Sequence, residues 1–292
     1  MVDSFLSYIQ HEKRLSAHTL TAYSTDLAQF ANFLLQTFDT SAPEKATFRE
    51  IRAWIMELSD AKNTATSVNR KIASLRAFYG FLLRKKHITQ NPMLKVKALK
   101  TPKKLPTFME ERAMDLLFDK VPFGSDFAGR RDKLIIDLLY GTGIRLAELI
   151  GLEMKDVDLF GSKITVLGKR NKQRIIPVSG LLIKEIQAYL PVRARFGDAP
   201  SSFFLTDKGQ TLYPVFVQRL IKKYLGLVSS QDKRSPHVLR HTFATHLLNN
   251  GAELMAIKEL LGHASLSATQ IYTHNSIEQL KAIHEKSHPT GG

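Results

Sequence analysis

Tyr272 is a side chain in this sequence that could act as a nucleophile. It lies in the segment LGHASLSATQIYTH, residues 261–274, nine positions after His263. A free phenol has a pKa of about 10, so it attacks poorly at neutral pH unless cations and a base surround it. Taken alone, Tyr272 is better explained by packing than by chemistry. The rest of the chain must therefore supply its partners.

A histidine and an arginine begin a predicted helix in the segment SPHVLRHTFATH, residues 235–246. Ser235 is a suitable N-cap, and Pro236 suits the first helical position. His237 and Arg240 then share one face of the first turn, where the helix dipole already favours anions. A phosphate would fit there, although an ordinary surface helix with incidental charges would have the same sequence.

The sequence contains no complete pattern for a metal site or a nucleotide site. His237 and His241 are four residues apart, but the HExxH zinc pattern would need glutamate at position 238, which is Val238, and the chain contains no cysteine. The glycine patterns of dinucleotide-binding and ATP-binding loops are missing, and no pair of carboxylates presents a two-metal site. We therefore expect no metal and no cofactor, so that any phosphate chemistry would proceed without magnesium or ATP.

Two further cations follow glycine-containing turns. In GTGIRLAEL, residues 141–149, glycines end one helix and place Arg145 at the start of the next, where Glu148 could orient its guanidinium. Arginine can grip two phosphate oxygens at once. Lys169 lies in GKRNK, the basic tip of a predicted hairpin. Taken alone, the first fragment is better explained by a surface pair of Arg145 and Glu148, and the second by a solvated turn.

The composition favours a polyanionic partner. The net charge is +15 in 292 residues, and the isoelectric point is about 9.9. Such an excess points to nucleic acid or an anionic membrane surface rather than to a merely solvated basic face. Since there is no cysteine, no signal-like start and no apolar run of membrane-spanning length, we expect a soluble, cytoplasmic protein.

Apolar spacing predicts a mainly α-helical chain with one β-hairpin, an α+β fold in two domains. Residues 1–93 form about four helices, one of which carries a stripe spaced at three and four residues. The stripe consists of Val68, Ile72, Leu75, Tyr79 and Leu82. In the second domain, 108–292, a helix over 130–143 and a hairpin over 163–179 precede helices near 180–193, 211–225, 236–249 and 253–261.

The segment NPMLKVKALKTPKKLP is rich in proline and lysine and contains no acidic residue. Because proline discourages helix and like charges repel one another, we interpret residues 94–107 as a linker. Its charge would suit a strap along a phosphate backbone, although a solvated linker has the same composition.

Taken in order, Arg145, Lys169, His237, Arg240, His263 and Tyr272 resemble the catalytic residues of the tyrosine recombinases. The Xer chromosome-resolution type is the most similar, on the segments GTGIRLAELIGL, VLGKRNKQRIIPVS, SPHVLRHTFATHLLNNGA and LLGHASLSATQIYTH. The segments LSAHTLTAYSTDL and NRKIASLRAFYGFL resemble the family's helical, SAM-like core-binding domain. The resemblance covers nearly the whole chain. Lys169-Arg170 replaces a Lys-Gly that is more usual at the hairpin tip.

The resemblance implies a chemistry for each residue. Tyr272 would attack a DNA phosphodiester to give a 3′-phosphotyrosyl bond, while Arg145 and Arg240 hold the non-bridging oxygens. Lys169 would protonate the departing 5′-oxygen. His237 would assist proton transfer at the tyrosine, and His263 would hydrogen-bond the phosphate.

The resemblance also implies partners. Four protomers would act on two DNA duplexes, each with a short recombination site, with a paralogous recombinase and a septal DNA translocase as further partners. Candidate DNA contacts outside the catalytic set are Thr19, Arg70, Lys71, Arg76, Lys100, Lys103 and Lys104.

Three alternatives remain open at this point. An integrase of a mobile element would use the same residues. A type IB topoisomerase would share the tyrosine chemistry but relax supercoils alone. A non-catalytic regulator could read DNA with the helix predicted over 236–249, which would explain the charge but not the ordered set of reactive residues.

Overall fold

The computed structural model describes residues 1–13, 15–102, 107–168, 173–197 and 200–262, apart from the side chain of His18. Two compact units divide the chain, Met1–Lys104 and Leu105–Gly292. Both are mainly helical, and the second also contains a small antiparallel sheet, so the predicted fold class is confirmed. Among the described residues, no helix has the length and apolarity needed to cross a membrane.

The described residues of the first unit form four α-helices: α1 Val2–Ser7, α2 Ala17–Phe38, α3 Phe48–Asp60 and α4 Ala65–Arg84. A π-helical turn, Tyr8–Glu12, follows α1. Side-chain caps begin α2 and α3: before α2, the Ser16 hydroxyl accepts from Thr19 N at 3.4 Å. Thr47 and Glu50 form a reciprocal capping box at the start of α3. Such caps satisfy backbone donors that the first helical turn leaves unpaired.

Aromatic packing holds these four helices together. All five residues of the predicted α4 stripe are buried. Trp54 of α3 packs on Phe30 of α2 with ring centroids 4.9 Å apart. Phe5 of α1 meets Phe78 and Phe81 of α4 at 5.5 and 5.6 Å. The short α1 is therefore anchored by aromatic burial rather than by its own length.

The first unit extends beyond residue 93, into the stretch expected to be a linker. A 3-10 turn, Pro92–Lys95, precedes Val96, which is buried in the first core. Farther along, the side-chain amide of Asn69 donates to the Leu99 carbonyl at 2.9 Å, and its oxygen accepts from Leu99 N at 2.8 Å. Proline and lysine content predicted a linker from residue 94, but Met93, Val96 and Leu99, spaced three residues apart, pack this part on the first core.

The second unit contains seven α-helices among its described residues. They are α5 Glu111–Lys120, α6 Phe127–Thr142, α7 Leu146–Ile150, α8 Gly180–Arg193, α9 Pro214–Val228, α10 Pro236–Asn249 and α11 Leu254–Leu261. The predicted helix near 211–225 begins three residues later, because Pro214 occupies the first helical turn, where a missing N–H costs nothing. Ser235 precedes α10 as predicted, but its side chain makes no capping hydrogen bond.

A three-stranded antiparallel sheet accompanies the helices, in the order β1 Val157–Asp158, β2 Lys163–Leu167 and β3 Gln173–Pro177. The pairing of Leu167 with Gln173 brings the two strands to the base of the predicted basic tip, so the hairpin itself is confirmed. The tip, residues 169–172, lies outside the described residues.

Helix α6 runs through the core of the second unit and is buried along most of its length. At its end, Gly143 adopts a left-handed conformation with φ of +59°. A Cβ there would come within 2.6 Å of Phe243 on α10 and 2.7 Å of Leu261 on α11. Glycine is therefore required both for the turn and for the close approach of α10 and α11 to the start of α7.

Candidate active site

Arg145 is held by Glu148 at the start of α7. The Arg145 backbone N donates to Glu148 Oε2 at 2.9 Å, and its Nη1 donates to Oε1 at 2.8 Å. The remaining terminal nitrogen, Nη2, donates to the Gly262 carbonyl at 2.9 Å. The expectation that Glu148 orients this guanidinium is confirmed.

Arg240 lies one turn into α10 and is only 9% exposed. Its Nη1 donates to the Gly143 carbonyl, and its Nη2 donates to the Leu261 carbonyl at 2.7 Å. The Gly143 turn and the end of α11 thus supply the acceptors that orient this side chain. His237, on the preceding turn, is exposed.

Arg174 was missed by the sequence reasoning. It lies on β3, is 7% exposed, and donates from Nη1 to Glu148 Oε1 at 2.5 Å and from Nη2 to Oε2 at 2.8 Å. A signal was present, since Arg174 and Ile176 alternate onto the same face of the strand and Ile176 is a core residue. An arginine at a core-facing strand position has to be paired with an acid.

Arg145, Arg174, Arg240 and Glu148 form what we call the arginine cluster. Burial, followed by the charges of Arg145 and Arg174, lowers the pKa of Arg240 to about 10. Burial by itself would raise the pKa of Glu148, but hydrogen bonds from Arg174 and Arg145 outweigh it and lower that pKa. Three guanidinium groups thus lie near one ionised carboxylate, which bonds two of them, Arg145 and Arg174. The excess positive charge favours an anionic ligand such as a phosphate diester.

The end of α11 closes the arginine cluster. Gly262 has φ of +62°, and a Cβ built there would lie 3.0 Å from Arg174 Cδ and 3.2 Å from its Nε. A side chain at position 262 would therefore be unfavourable for two reasons: the left-handed backbone conformation, and the crowding against Arg174. The chain continues from this turn into His263. The predicted catalytic residues Lys169, His263 and Tyr272 lie outside the described residues.

Two of the DNA contacts expected in the first unit belong to a buried network. Asp26 of α2 accepts from Arg70 Nη1 and Nη2 at 2.5 and 2.8 Å, Lys71 Nζ at 3.1 Å and Ser74 Oγ at 2.7 Å. Lys71 is 6% exposed and also donates to Gln29. We call these residues the Asp26 network. Lys71 is therefore an internal ion-pair partner, whereas the Arg70 side chain is half exposed.

The other expected DNA contacts differ in what they already bind. Thr19 shares a hydroxyl hydrogen bond of 3.0 Å with Ser16 at the start of α2. Arg76 donates to the Val96 carbonyl at 2.6 Å, which ties α4 to the stretch after it. Lys100 is exposed. Lys103 and Lys104 lie outside the described residues.

Comparison with known proteins shows the family to which both parts of the chain are similar. The chain matches the phage integrase family over residues 83–279 and that family's N-terminal SAM-like domain over residues 2–86. It is 38% identical to tyrosine recombinase XerC of Chlorobaculum parvum over 99% of this chain and 94% of that protein. It is 40% identical to tyrosine recombinase XerC of Listeria innocua, over 98% and 96%.

A solved structure has the same fold. The XerH site-specific recombinase, in a post-cleavage complex with a palindromic difH substrate, superposes with a TM-score of 0.72 at 19% identity, over 97% of this chain and 83% of that chain. Together the fold and the relatives define a recombinase that breaks and rejoins DNA. The chain belongs to the phage integrase family, and the Xer-type resemblance predicted from its sequence is confirmed.

Proposed function

We propose that the protein is a site-specific tyrosine recombinase in which Tyr272 forms a 3′-phosphotyrosyl bond with DNA. The observation that supports this most directly is the arginine cluster. Arg145 precedes α7 and Arg240 lies in α10, and their terminal nitrogens donate to the adjacent carbonyls of Gly262 and Leu261. Two guanidinium groups so placed suit the two non-bridging oxygens of one phosphate, directly before the segment that contains His263 and Tyr272.

The reaction balances without an external energy source. The Tyr272 oxygen bonds to phosphorus, the bond from phosphorus to the 5′-oxygen breaks, and the charge that builds on the non-bridging oxygens is neutralised by Arg145 and Arg240. A 5′-hydroxyl of another strand then attacks the phosphotyrosyl bond and releases the phenol. Because the phosphodiester energy is kept in the covalent intermediate, ATP is not needed.

The proton transfers are assigned to two other residues of the catalytic set. Lys169 donates a proton to the departing 5′-oxygen, and His237 assists removal of the proton from Tyr272. His263 hydrogen-bonds the phosphate. The exposure of His237 on the first turn of α10 leaves its imidazole accessible to such a substrate.

The biological reaction we propose is the resolution of chromosome or plasmid dimers at a dif-like site, in the cytoplasm. The relatives named XerC and the XerH complex with difH support this assignment. Four protomers would assemble on two duplexes, with a paralogue supplying two of them and a septal translocase acting on the assembly. Lys100, Lys103 and Lys104 would contact phosphates flanking the site, as would the half-exposed Arg70.

Replacement of the nucleophile tests the proposal. A duplex selected by the protein from a randomised pool at physiological salt is nicked near the cut, so that cleavage releases a short fragment and traps the adduct. We expect the wild-type protein to form a covalent species that survives denaturant. Tyr272→Phe should bind the same duplex and trap none. An adduct formed by the phenylalanine variant would disprove the assignment, and supercoil relaxation by the wild-type protein alone would favour a topoisomerase.

A further inference from the structure

Arg174 lies inside the arginine cluster but has no part in the roles assigned above. Each oxygen of Glu148 accepts one hydrogen bond from Arg145 and one from Arg174: Oε1 from the two Nη1 atoms, and Oε2 from Arg145 N and Arg174 Nη2. Four donors fill the acceptor sites of one carboxylate. Glu148 can therefore neither rotate nor shift without breaking a bond to one of its two arginines.

Stability alone is a weak reason for this arrangement. Burying a charged pair on a core-facing strand costs desolvation energy that a hydrophobic residue at the same position would not incur. Arg174 Nε is buried and has no hydrogen-bond partner among the described residues, which adds to that cost. A side chain kept at such a cost is better explained by what it positions.

Arg174 also touches the turn that leads to the nucleophile. Its Cδ, Nε and Cζ lie 3.0, 3.2 and 3.4 Å from the position of a Cβ at Gly262. The Gly262 carbonyl accepts from Arg145 Nη2. One guanidinium thus bonds Glu148, which orients Arg145, and occupies the space that a side chain at Gly262, the last described residue before His263, would need.

We infer that Arg174 is a positioning residue of the cleavage reaction, which acts through Glu148 to hold Arg145 against the scissile phosphate. The inference rests on the proposed function and names a further residue of that same site. A guanidinium is required, because lysine offers a single point charge and cannot bond both carboxylate oxygens in parallel. Arg174 does not touch the phosphate, so its loss slows cleavage while DNA binding stays the same.

A competing explanation is that Arg174 acts on Lys169, because Lys169 precedes β3 in the sequence and Arg174 lies on that strand. The two possibilities differ in chemistry. Arg145 neutralises charge on the non-bridging oxygens, whereas Lys169 protonates the 5′-oxygen. Replacing one non-bridging oxygen with methyl removes charge that Arg145 would neutralise. Replacing the bridging 5′-oxygen with sulfur gives a leaving group that needs no acid.

The experiment measures the single-turnover rate constant of adduct formation on nicked duplexes with an ordinary, a methylphosphonate or a 5′-thio scissile group. Arg174→Lys is compared with Arg145→Ala, with Lys169→Ala and with the control Arg193→Lys. Arg193 donates to the carbonyls of Pro200, Ser202 and Phe203 and to no member of the arginine cluster. Rates refer to the DNA-binding fraction, so that misfolding lowers the amplitude and not the rate constant.

We expect Arg174→Lys to slow cleavage of the ordinary duplex by about 10- to 100-fold, the usual cost of misplacing a group by a fraction of an ångström. The defect should shrink on the methylphosphonate, as for Arg145→Ala, and persist on the 5′-thio duplex, where Lys169→Ala recovers. Arg193→Lys should cleave like the wild type. Glu148→Asp combined with Arg174→Lys should be no slower than the slower single variant, because both act on Arg145.

Each other outcome overturns the inference. Wild-type rates for Arg174→Lys, or an additive double variant, would show that the pair does not position Arg145. Recovery on the 5′-thio duplex would assign Arg174 to Lys169 instead. If the wild-type protein forms no adduct on any duplex, the proposed function fails and the inference with it, whereas a reactive wild type with an equally reactive Arg174→Lys refutes the inference alone.

Discussion

The Asp26 network and the arginine cluster use the same device in two different ways. In each, one buried carboxylate is shared by two cations. The partners of Asp26 within its network, Arg70, Lys71 and Ser74, all come from α4, so the network fastens one helix to another. The cations of the arginine cluster come from the residue before α7, from β3 and from α10, and Arg145 and Arg240 both donate to the end of α11.

The difference shows how a buried ion pair can serve stability or chemistry. Where all partners lie on one helix, the carboxylate fixes helix packing and little else. Where they come from separate elements, with three arginines near one acid, the carboxylate fixes cations relative to one another and leaves an excess of positive charge for a ligand. The comparison therefore predicts that substitutions in the two groups separate stability from reactivity.

Arg240→Lys should have the largest effect. Lysine keeps the charge but cannot reach the Gly143 and Leu261 carbonyls in the same geometry. We expect the rate constant of adduct formation to fall by about 10²- to 10³-fold, with DNA affinity changed less than about tenfold. The nicked-duplex assay and a binding titration measure the two quantities. A variant that cleaves normally but unfolds easily would show that the arginine cluster is structural, like the Asp26 network.

Asp26→Asn should act in the opposite way. Lys71 would remain buried without a carboxylate, so the free energy of unfolding of the first unit should fall by about 3 kcal/mol. Trp54 is the single tryptophan of the chain and is buried in that unit, so urea unfolding followed by its fluorescence reports this change.

Asp60→Asn is the matched control for this variant, because Asp60 is exposed at the end of α3. It should change stability by no more than about 0.5 kcal/mol. The folded fraction of Asp26→Asn should cleave at the wild-type rate. Slower cleavage at unchanged stability would remove the distinction between the two groups.

A smaller effect is expected on how the stability of the second unit depends on pH. His246 of α10 lies between the Tyr140 hydroxyl at 2.9 Å and the Met109 carbonyl at 2.8 Å. Burial lowers its pKa, although Met109, Glu111 and Asp115 act in the other direction. The folded protein thus favours neutral imidazole, and this contribution is complete above the unfolded pKa of about 6.5 and declines below it, by at most about 1.4 kcal/mol per pH unit.

His246→Gln should remove that part of the pH dependence. Unfolding followed by circular dichroism at pH 8, 7, 6 and 5 should show a wild-type loss of stability in acid that the variant reduces. His246 lies in the second unit, whereas Trp54 lies in the first. The difference in stability between wild type and variant, as measured by Trp54 fluorescence, should therefore be the same at every pH. A wild type and a variant with parallel pH profiles in both signals would contradict the assignment.

Local sequence patterns predicted much of the fold. Capping residues such as Ser16 and Thr47 mark helix starts through contacts within one turn. The α4 stripe follows from the spacing of apolar residues, which is visible directly in the sequence. The hairpin around residues 169–172 was also predicted from a local signal, two β-branched runs on either side of a basic turn. Residues 94–99 were misjudged, because their composition indicates a linker and only contact with α4 shows that they are docked.

The candidate site was predictable residue by residue but not as an arrangement. Arg145, Glu148 and Arg240 lie in local patterns at helix starts, so their types and positions indicated an anion site. Arg174 is 26 residues from Glu148, and Lys71 is 45 residues from Asp26. Neither pair has a local spacing that would reveal it.

Residue identity and short-range periodicity were enough to predict the family, the helical architecture and the chemical types available for catalysis. Which cations share a carboxylate depends on contacts between distant parts of the chain and is visible only in the folded molecule. Burial removes water as a competing partner, so a charge must find its counterion wherever the fold brings one within hydrogen-bond reach. For Lys71 that requirement replaced an expected surface role, and for Arg174 it created a role that the sequence did not reveal.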